Sequence, residues 1–477
     1  DVASEESETP VVLTPLIAAD ELRRHVLALS ADDMEGRQTG MPGSHRASEY
    51  VAKSLAEVGV PPAGDDGSYF QRVPLVRVAY DSPPKLALVG ADGAIVECVP
   101  GRDFTWSGPR PFPATAASIV RVTRADEIPA EPMPETALFL DMDRSESRGL
   151  FRDRELTTPG RFALILARGP AVLGDELTKP PVGGWLALYR QGPDGARIVL
   201  DRAEVPRTQV LWIRDEFPDR LADGEFTSAA YVVEQTYEEV LDRNVVARIV
   251  GRGTPEQPEL AKETIVFTAH FDHIGIRPLE AWESEDSDWV YNGADDDASG
   301  VAAILELAGA WAVADPPPVR TLVFLLVTGE EVGLLGTEYY LDHPVQPLAD
   351  TVLNLNFEMI GRPDPEAGGE GKLWLTGSEY TTLLESFEAA GVVEDPRPDQ
   401  HFFKRSDNWA FVERGLVGQT LSSYNMHRDY HKETDEAELL DYDHMETGVR
   451  TAFEAMRPFV EGEVRPQWNE GVDPGKL

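Results

Sequence analysis

The sequence contains a single cysteine, Cys98, among its 477 residues. One cysteine cannot form an internal disulfide bond, so disulfides do not hold this fold together. Burial as a small apolar side chain is the simplest role for Cys98. The sequence also lacks any run of about 18 or more apolar residues, the length that a membrane-spanning helix needs. We therefore predict no membrane span.

Basic residues are scarce as well. The chain has 43 Lys and Arg against 84 Asp and Glu, which gives a formal net charge of -41. A surface of this sign repels phosphate backbones and anionic lipids. We therefore expect neither nucleic acid nor a membrane as a partner, and the composition gives no indication of the oligomeric state.

The chain begins with the polar, acidic stretch DVASEESETP. This stretch is typical of a mature end left after cleavage of a signal peptide, or of a trimmed end. We therefore expect a secreted or periplasmic protein.

The length of the chain predicts two domains, since it exceeds what one hydrophobic core usually organises. Residues 86–226 contain short β-type runs separated by Pro, Gly and Asp, which predicts an inserted β-rich domain. Residues 227–477 alternate apolar strands with amphipathic helical stretches, and residues 1–85 open with helical periodicity. Together, residues 1–85 and 227–477 are predicted to form an α/β domain. Its sheet should be mixed but mainly parallel, with helices on both faces.

Polar residues of metal-ligand type follow three of the predicted strands. His270 and Asp272 come after TIVFTA, Glu330 and Glu331 after TLVFLLVTG, and Glu358 after TVLNLNF. Since the carboxyl ends of neighbouring parallel strands meet at one edge of a sheet, we expect these side chains to converge there.

Two further segments add donors of the same kind. Asp295, Asp296 and Asp297 precede a predicted helix, and His431 lies in the loop DYHKETD. Each feature alone has a simpler interpretation: a structural histidine, an acidic helix N-cap, or a solvated glutamate pair. Carboxylates crowded together without a cation would repel one another, however, and mixed imidazole and carboxylate donors suit zinc. The pattern therefore predicts a metal site.

Five motifs resemble the ordered motif set of the zinc aminopeptidases of peptidase family M28. They are AHFDH, NGADDDASGVAA, TGEEVGLLGTEYY, NFEMIGR and DYHKETD, and their order and spacing match over residues 240–460. The segment LSADDMEGRQTGMPGSHRASEYVAKSL is similar to the opening helices of that family. The β-rich insertion lies where many relatives carry a protease-associated domain. The resemblance implies a phosphorylase/hydrolase-like catalytic fold.

The resemblance also implies a ligand set for two zinc ions per chain. His270 would bind one ion, Glu331 and His431 would bind the other, and Asp295 would bridge the two. Glu358 stands where the family usually has Asp, and it would be a further ligand of the first ion.

The remaining roles are implied in the same way. Glu330 would be the general base, and Asp272 would accept a hydrogen bond that orients His270. Tyr430 resembles a tyrosine that supports the oxyanion in some relatives, although packing in its loop explains it equally well. The peptide bond after the bridging residue, between Asp295 and Asp296, would be cis.

These expectations predict an aminopeptidase that removes N-terminal residues from peptide substrates. Other chemistry on the same fold stays open: a carboxypeptidase, a dipeptidase or a glutaminyl cyclase. A carboxypeptidase would need a cation for the substrate carboxylate, for which Arg362 and Arg405 are candidates. A cyclase would bind a single zinc ion. A non-catalytic receptor-like scaffold would have no use for the complete ligand set with Glu330.

Overall fold

A computed structural model of the protein describes residues 17–80, 84–100, 102–106, 115–151, 155–158, 160–169, 197–201, 208–277 and 287–477. The acidic segment DVASEESETP lies outside these residues. The chain divides into two compact units. The larger comprises Asp1–Leu75 and Val240–Leu477, and the smaller comprises Val76–Glu239.

The strands of the described residues are numbered in chain order. They are β1 Phe70–Tyr80, β2 Lys85–Gly90, β3 Ile95–Cys98, β4 Phe104–Trp106, β5 Thr115–Val122, β6 Met133–Leu140, β7 Phe162–Arg168, β8 Arg197–Leu200, β9 Val210–Ile213, β10 Phe226–Val232, β11 Gln235–Ile249, β12 Thr264–His270, β13 Thr321–Val327, β14 Thr351–Phe357, β15 Trp374–Leu375, β16 Val393–Glu394 and β17 Gly418–Ser422.

The α-helices are numbered in the same way. They are α1 Ala19–Leu29, α2 Pro42–Glu57, α3 Arg144–Leu150, α4 Phe217–Ala222, α5 Gly300–Ala312, α6 Leu335–Asp342, α7 Leu384–Ala390, α8 Asn408–Glu413 and α9 Tyr442–Val460. Among the residues that the structure describes, no helix combines the length and the apolar character that crossing a membrane requires.

The larger unit is built on a mixed sheet with the strand order β16-β15-β17-β14-β12-β13-β11-β1. At its centre, β12 runs parallel to β13 and to β14, and β14 runs parallel to β17. Strand β11 is antiparallel to β13, and β15 is antiparallel to β17. The prediction of a mixed, mainly parallel sheet is confirmed.

Helices cover both faces of this sheet because successive side chains of its central strands point to opposite sides. Ile265 and Phe267 of β12 pack in one core with residues of α1, α2, α5 and α9. Val266 faces the other way, into a core with Tyr340 of α6 and Phe411 of α8. Every residue of β12, β13 and β14 is buried, as expected for strands covered on both faces.

The register of the central strands aligns their carboxyl ends. His270, the last residue of β12, pairs with Val327, the last residue of β13. Phe357, the last residue of β14, pairs with Leu421 of β17. The segments that follow these strands therefore start at one edge of the sheet, as predicted.

The smaller unit is β-rich. Its sheet has the order β3-β2-β10-β5-β6-β7-β9-β4. Strands β5, β6, β7 and β9 are parallel neighbours, and β10 joins β2 to β5 by antiparallel pairing. Its apolar side chains, such as Leu88, Phe139 and Leu166, form a core of its own.

Candidate metal centre

Two buried histidines converge on one aspartate at the carboxyl edge of the larger unit's sheet. His270 Nε2 lies 3.3 Å from Asp296 Oδ1. His431 Nε2 lies 3.0 Å from Asp296 Oδ2. The two oxygens of a single carboxylate therefore face two different imidazoles.

Glu358 completes the first group of donors. Its Oε1 lies 3.3 Å from His270 Nε2, and its Oε2 accepts a hydrogen bond from Ser406 Oγ at 2.6 Å. The longer side chain of Glu, compared with the Asp usual in the family it resembles, still brings an oxygen to the imidazole. The bond from Ser406 fixes the second oxygen, so the carboxylate has one defined orientation.

Glu331 completes the second group. Its Oε1 lies 3.2 Å from His431 Nε2. Burial alone would lower the pKa of His431, but the carboxylates of Glu331 and Asp296 outweigh it and raise this pKa to about 11. Burial would likewise raise the pKa of Glu331, yet the His431 and His273 imidazoles bring it down to about 2. The site thus stabilises positive charge at the imidazole nitrogens, a position for which a metal cation competes with protons.

Asp295 does not join either group, which corrects the sequence-based assignment. Its Oδ1 accepts the N–H of Gly361 at 2.7 Å, and its Oδ2 lies 3.0 Å from His427 Nε2. Asp296 occupies the bridging position that we had predicted for Asp295. The cis peptide bond joins Asp296 to Asp297, whereas we had predicted it between Asp295 and Asp296.

The backbone of the aspartate triplet is held by its neighbours on both sides. Asp435 Oδ2 accepts the N–H groups of Asp295 and Asp296 at 3.0 and 3.1 Å. Asp297 Oδ1 accepts the N–H groups of Gly300 and Met359 at 3.1 and 3.0 Å. A Cβ at residue 300 would lie 2.5 Å from the Asp297 carboxylate, so this close approach requires glycine. These contacts aim the middle aspartate at the histidines.

Asp272 links the first histidine to the predicted base. Its Oδ1 accepts the N–H of Glu330 at 3.1 Å, and its Oδ2 accepts the Thr39 hydroxyl at 2.9 Å. His270 Nδ1 lies 3.1 Å from the backbone oxygen of Asp272 and 3.7 Å from its carboxylate. The imidazole therefore meets the main chain of Asp272 more closely than the carboxylate that we predicted as its acceptor.

The Glu330 carboxyl group lies in the same charged surroundings. Burial raises its pKa well above the usual value, and the negative charges of Glu331 and Glu358 add to this effect. The pKa shift is partly opposed by His270. A carboxyl group in this environment holds a proton more firmly than one in water, which suits a group that takes up and returns protons.

Tyr430 stacks on His431, with ring centroids 3.9 Å apart. It is 42% exposed, so the ring covers the outer side of that imidazole. Arg362 donates to Asp429 at 2.8 Å and to Asp435 at 3.4 Å, so two carboxylates already pair with it. The guanidinium of Arg405 lies 4.9 Å from the ring centroid of Phe402.

The structural role of Arg37 was not evident from the sequence. Arg37 lies in the glycine-containing stretch between the first two helices, yet it is completely buried. Its guanidinium group donates to the backbone oxygens of Leu29, Phe271, Asn292 and Gly293 at 2.6 to 2.8 Å. One cation thereby joins the segment before α2 to the residue after His270 and to the loop that precedes Asp296. The only signal in the sequence was an arginine among glycines, which is compatible with an ordinary exposed loop.

His273 is a second such residue. It occurs in AHFDH, but no role was assigned to it from the sequence. Its side chain is fully buried, and its Nδ1 lies 2.9 Å from Glu331 Oε1.

The donor set fits two divalent metal ions that share Asp296. Zinc bonds of about 2.0–2.1 Å in a tetrahedron separate neighbouring donor atoms by roughly 3.3 Å. The donor distances above, 3.0 to 3.3 Å, are close to that spacing. His270, Asp296 and Glu358 would hold one ion, and Asp296, Glu331 and His431 would hold the other.

Comparison with known proteins shows similarity to a peptidase family. Residues 244–456 match the family model described as peptidase family M28. A vacuolar membrane protease of Lachancea thermotolerans is 30% identical over 202 residues, which are 41% of this chain and 18% of that protein. Leupeptin-inactivating enzyme 1 of Streptomyces exfoliatus is 42% identical over 74 residues, which are 15% of this chain and 17% of that protein. These alignments thus span about a fifth of the relatives' lengths.

A solved structure shares the fold over nearly the whole chain. The aminopeptidase from Aneurinibacillus sp. strain AM-1 superposes with a TM-score of 0.50 at 17% sequence identity. The superposition covers 96% of this chain and 97% of that one. At this identity the likeness concerns the fold alone.

Proposed function

We propose that the chain is a two-zinc aminopeptidase of peptidase family M28, whose family model matches residues 244–456. It removes N-terminal residues from peptide substrates. The observation that carries the proposal is the position of Asp296, whose two oxygens face His270 and His431. A carboxylate shared in this way serves two neighbouring ions at once.

Two zinc ions held by His270, Asp296, Glu358, Glu331 and His431 would supply a water of lowered pKa and polarise the scissile carbonyl group. The protein's own residues then accept and donate the protons of the reaction. Glu330 accepts the proton of the water on its carboxylate and delivers it to the leaving amine. Asp272 holds the main chain of Glu330 in place through its bond to the Glu330 N–H.

The cations near the site favour an aminopeptidase over a carboxypeptidase. Arg362, one of the two candidates for binding a substrate carboxylate, is paired with Asp429 and Asp435. Arg405 packs over an aromatic ring, although it is exposed. An aminopeptidase would instead need a carboxylate for the free α-amino group of the substrate, and the excess of acidic residues in the chain supplies candidates.

A direct test uses leucine arylamide and its N-acetyl derivative as substrates. Demetallated protein should lose hydrolysis of the free-amine substrate, and added zinc should restore it. An aminopeptidase should cleave the N-acetyl derivative much more slowly, because the charged amine is lost. Full activity without metal would contradict the mechanism.

The direction of cleavage needs a peptide substrate. A hexapeptide with a free N-terminus and an amidated C-terminus should be shortened from its N-terminal end, as followed by mass spectrometry. Loss of C-terminal residues from the unamidated peptide, abolished in Arg405→Ala, would replace the proposal with a carboxypeptidase.

We also propose that the protein acts outside the cytoplasm. Fractionation of the source cells, with the protein followed by antibody, tests this location. Recovery only with cytoplasmic marker enzymes would contradict it.

A further inference from the structure

His273 is buried beside the second group of donors without a hydrogen bond that accounts for it. Among the described residues, neither of its ring nitrogens has a partner in hydrogen-bond geometry. Its side chain is 0% exposed. A buried polar group without a partner costs free energy, so such a group calls for an explanation.

The position of His273 Nδ1 supplies an explanation for this burial. This atom lies 2.9 Å from Glu331 Oε1 and 3.9 Å from Asp296 Oδ2. The Oε1 atom of Glu331 also lacks a partner in hydrogen-bond geometry among the described residues. The same two oxygens also lie close to His431 Nε2. The distance is 3.2 Å to Glu331 Oε1 and 3.0 Å to Asp296 Oδ2.

We propose that His273 is an additional protein ligand of the second metal ion. That ion would then have four protein donors: His273, His431, Glu331 and Asp296. This inference rests on the proposed function, because it assumes the two-ion centre.

The backbone around His273 is shaped to let the ring reach this position. Gly293 lies against the ring: a Cβ there would come within 2.6 Å of His273 Cγ and within 2.3 Å of the backbone oxygen of Asp296. The N–H of His273 donates to the backbone oxygen of Arg37, the same buried residue that holds Gly293. The histidine is therefore fixed from two sides.

The two metal positions would differ as a result. The second would be closed by four protein donors, as in structural zinc sites. The first metal site would have three protein donors, His270, Glu358 and Asp296. One coordination position of its ion would stay open for water or substrate, as in catalytic zinc sites. We expect the ion at the closed position to bind more tightly and to leave last on dialysis against a chelator.

X-ray absorption of the unmodified zinc protein counts the imidazoles directly. The expected result is three imidazole nitrogens distributed over two ions. Two imidazoles over two ions would mean that His273 lies outside the coordination shell, and the inference would be overturned. A chain that binds no zinc would contradict the proposed function itself and this inference with it.

The variant His273→Gln gives a second, independent measurement by zinc titration against a chromophoric chelator. One of the two affinities should fall by about 100-fold or more, at or beyond the upper end of the 10- to 100-fold loss typical of partners outside the first shell. The matched control is His444→Asn, since His444 is also fully buried but bonds to Ser423 and Gly371. It should keep both affinities. Equal affinities in His273→Gln and the unmodified protein would refute the assignment.

Discussion

Asp295 and Asp296 are neighbours of the same chemical type, and the structure gives them different partners. Replacing each with Asn, in separate variants, changes one carboxylate to an amide of nearly the same shape. Asp296 faces both His270 and His431, whereas Asp295 faces Gly361 and His427. The two variants should therefore affect different properties.

The loss in Asp296→Asn follows from the number of donors. Zinc bound by four protein donors in small domains gains about 10–16 kcal/mol, so one donor is worth roughly 3 kcal/mol, or about 100-fold in Kd. Since Asp296 offers one oxygen to each group, both zinc affinities should weaken by about this factor.

The Asp295→Asn variant should instead lose stability. Its amide oxygen still accepts the N–H of Gly361, but the charged contact with His427 is lost. Loss of a buried charged hydrogen bond costs about 1.5–3 kcal/mol. Both zinc ions should remain bound.

Two measurements separate these effects. Competition with a chromophoric chelator gives both zinc affinities, and denaturant unfolding of the zinc-loaded proteins gives the change in free energy of unfolding. If Asp295→Asn lost zinc while Asp296→Asn retained both ions at full affinity, the assignment of the bridging residue would be wrong.

Two further substitutions and one labelling experiment test other parts of the structure. Glu330→Gln should keep both zinc ions and lower kcat by about 10²- to 10⁴-fold, because an amide cannot accept the proton of the water; a fall in metal content would instead make Glu330 a ligand. Gly293→Ala should destabilise the fold by roughly 1–3 kcal/mol more than Gly59→Ala, as judged by denaturant unfolding. Both glycines have positive φ, 55° and 77°, but a Cβ at residue 59 would meet no atom within 4 Å, and equal losses would show that the clash is relieved. Burial, with Asp103 nearby, raises the pKa of Cys98 to about 12, so the thiol is almost entirely protonated at pH 8. Iodoacetamide should therefore label Cys98 only in denaturant, and rapid labelling of the native protein would contradict this burial.

The central sheet was predictable because its strands are simple in sequence. TIVFTAH, TLVFLLV and TVLNLNF are mainly apolar and lack charged residues other than the final histidine of the first, which is typical of parallel strands buried on both faces. The polar residues that follow them then had to meet at one edge. The grouping of His270 with Glu358 follows from this rule without any knowledge of the loops.

The choice among three consecutive aspartates was not predictable in the same way. Which carboxylate points at the histidines depends on the backbone of Ala294–Ser299, where Asp296 has φ -103° and ψ 97° and Asp297 has φ -127° and ψ 39°. Contacts from distant residues, among them Asp435, fix these angles. Local sequence carries no trace of such contacts, so the bridging position was placed one residue too early.

The buried guanidinium of Arg37 has a consequence for the order of folding. Its partners Phe271 and Asn292 are 234 and 255 residues further along the chain. Closing loops of this length is entropically costly and comes late when a chain folds, and here the whole smaller unit is synthesised in between. We therefore expect the two segments that Arg37 contacts, next to His270 and before Asp296, to reach their final form only after the segment around Arg37 has docked against them. Uptake of metal during refolding should accordingly report the last step of assembly rather than the first.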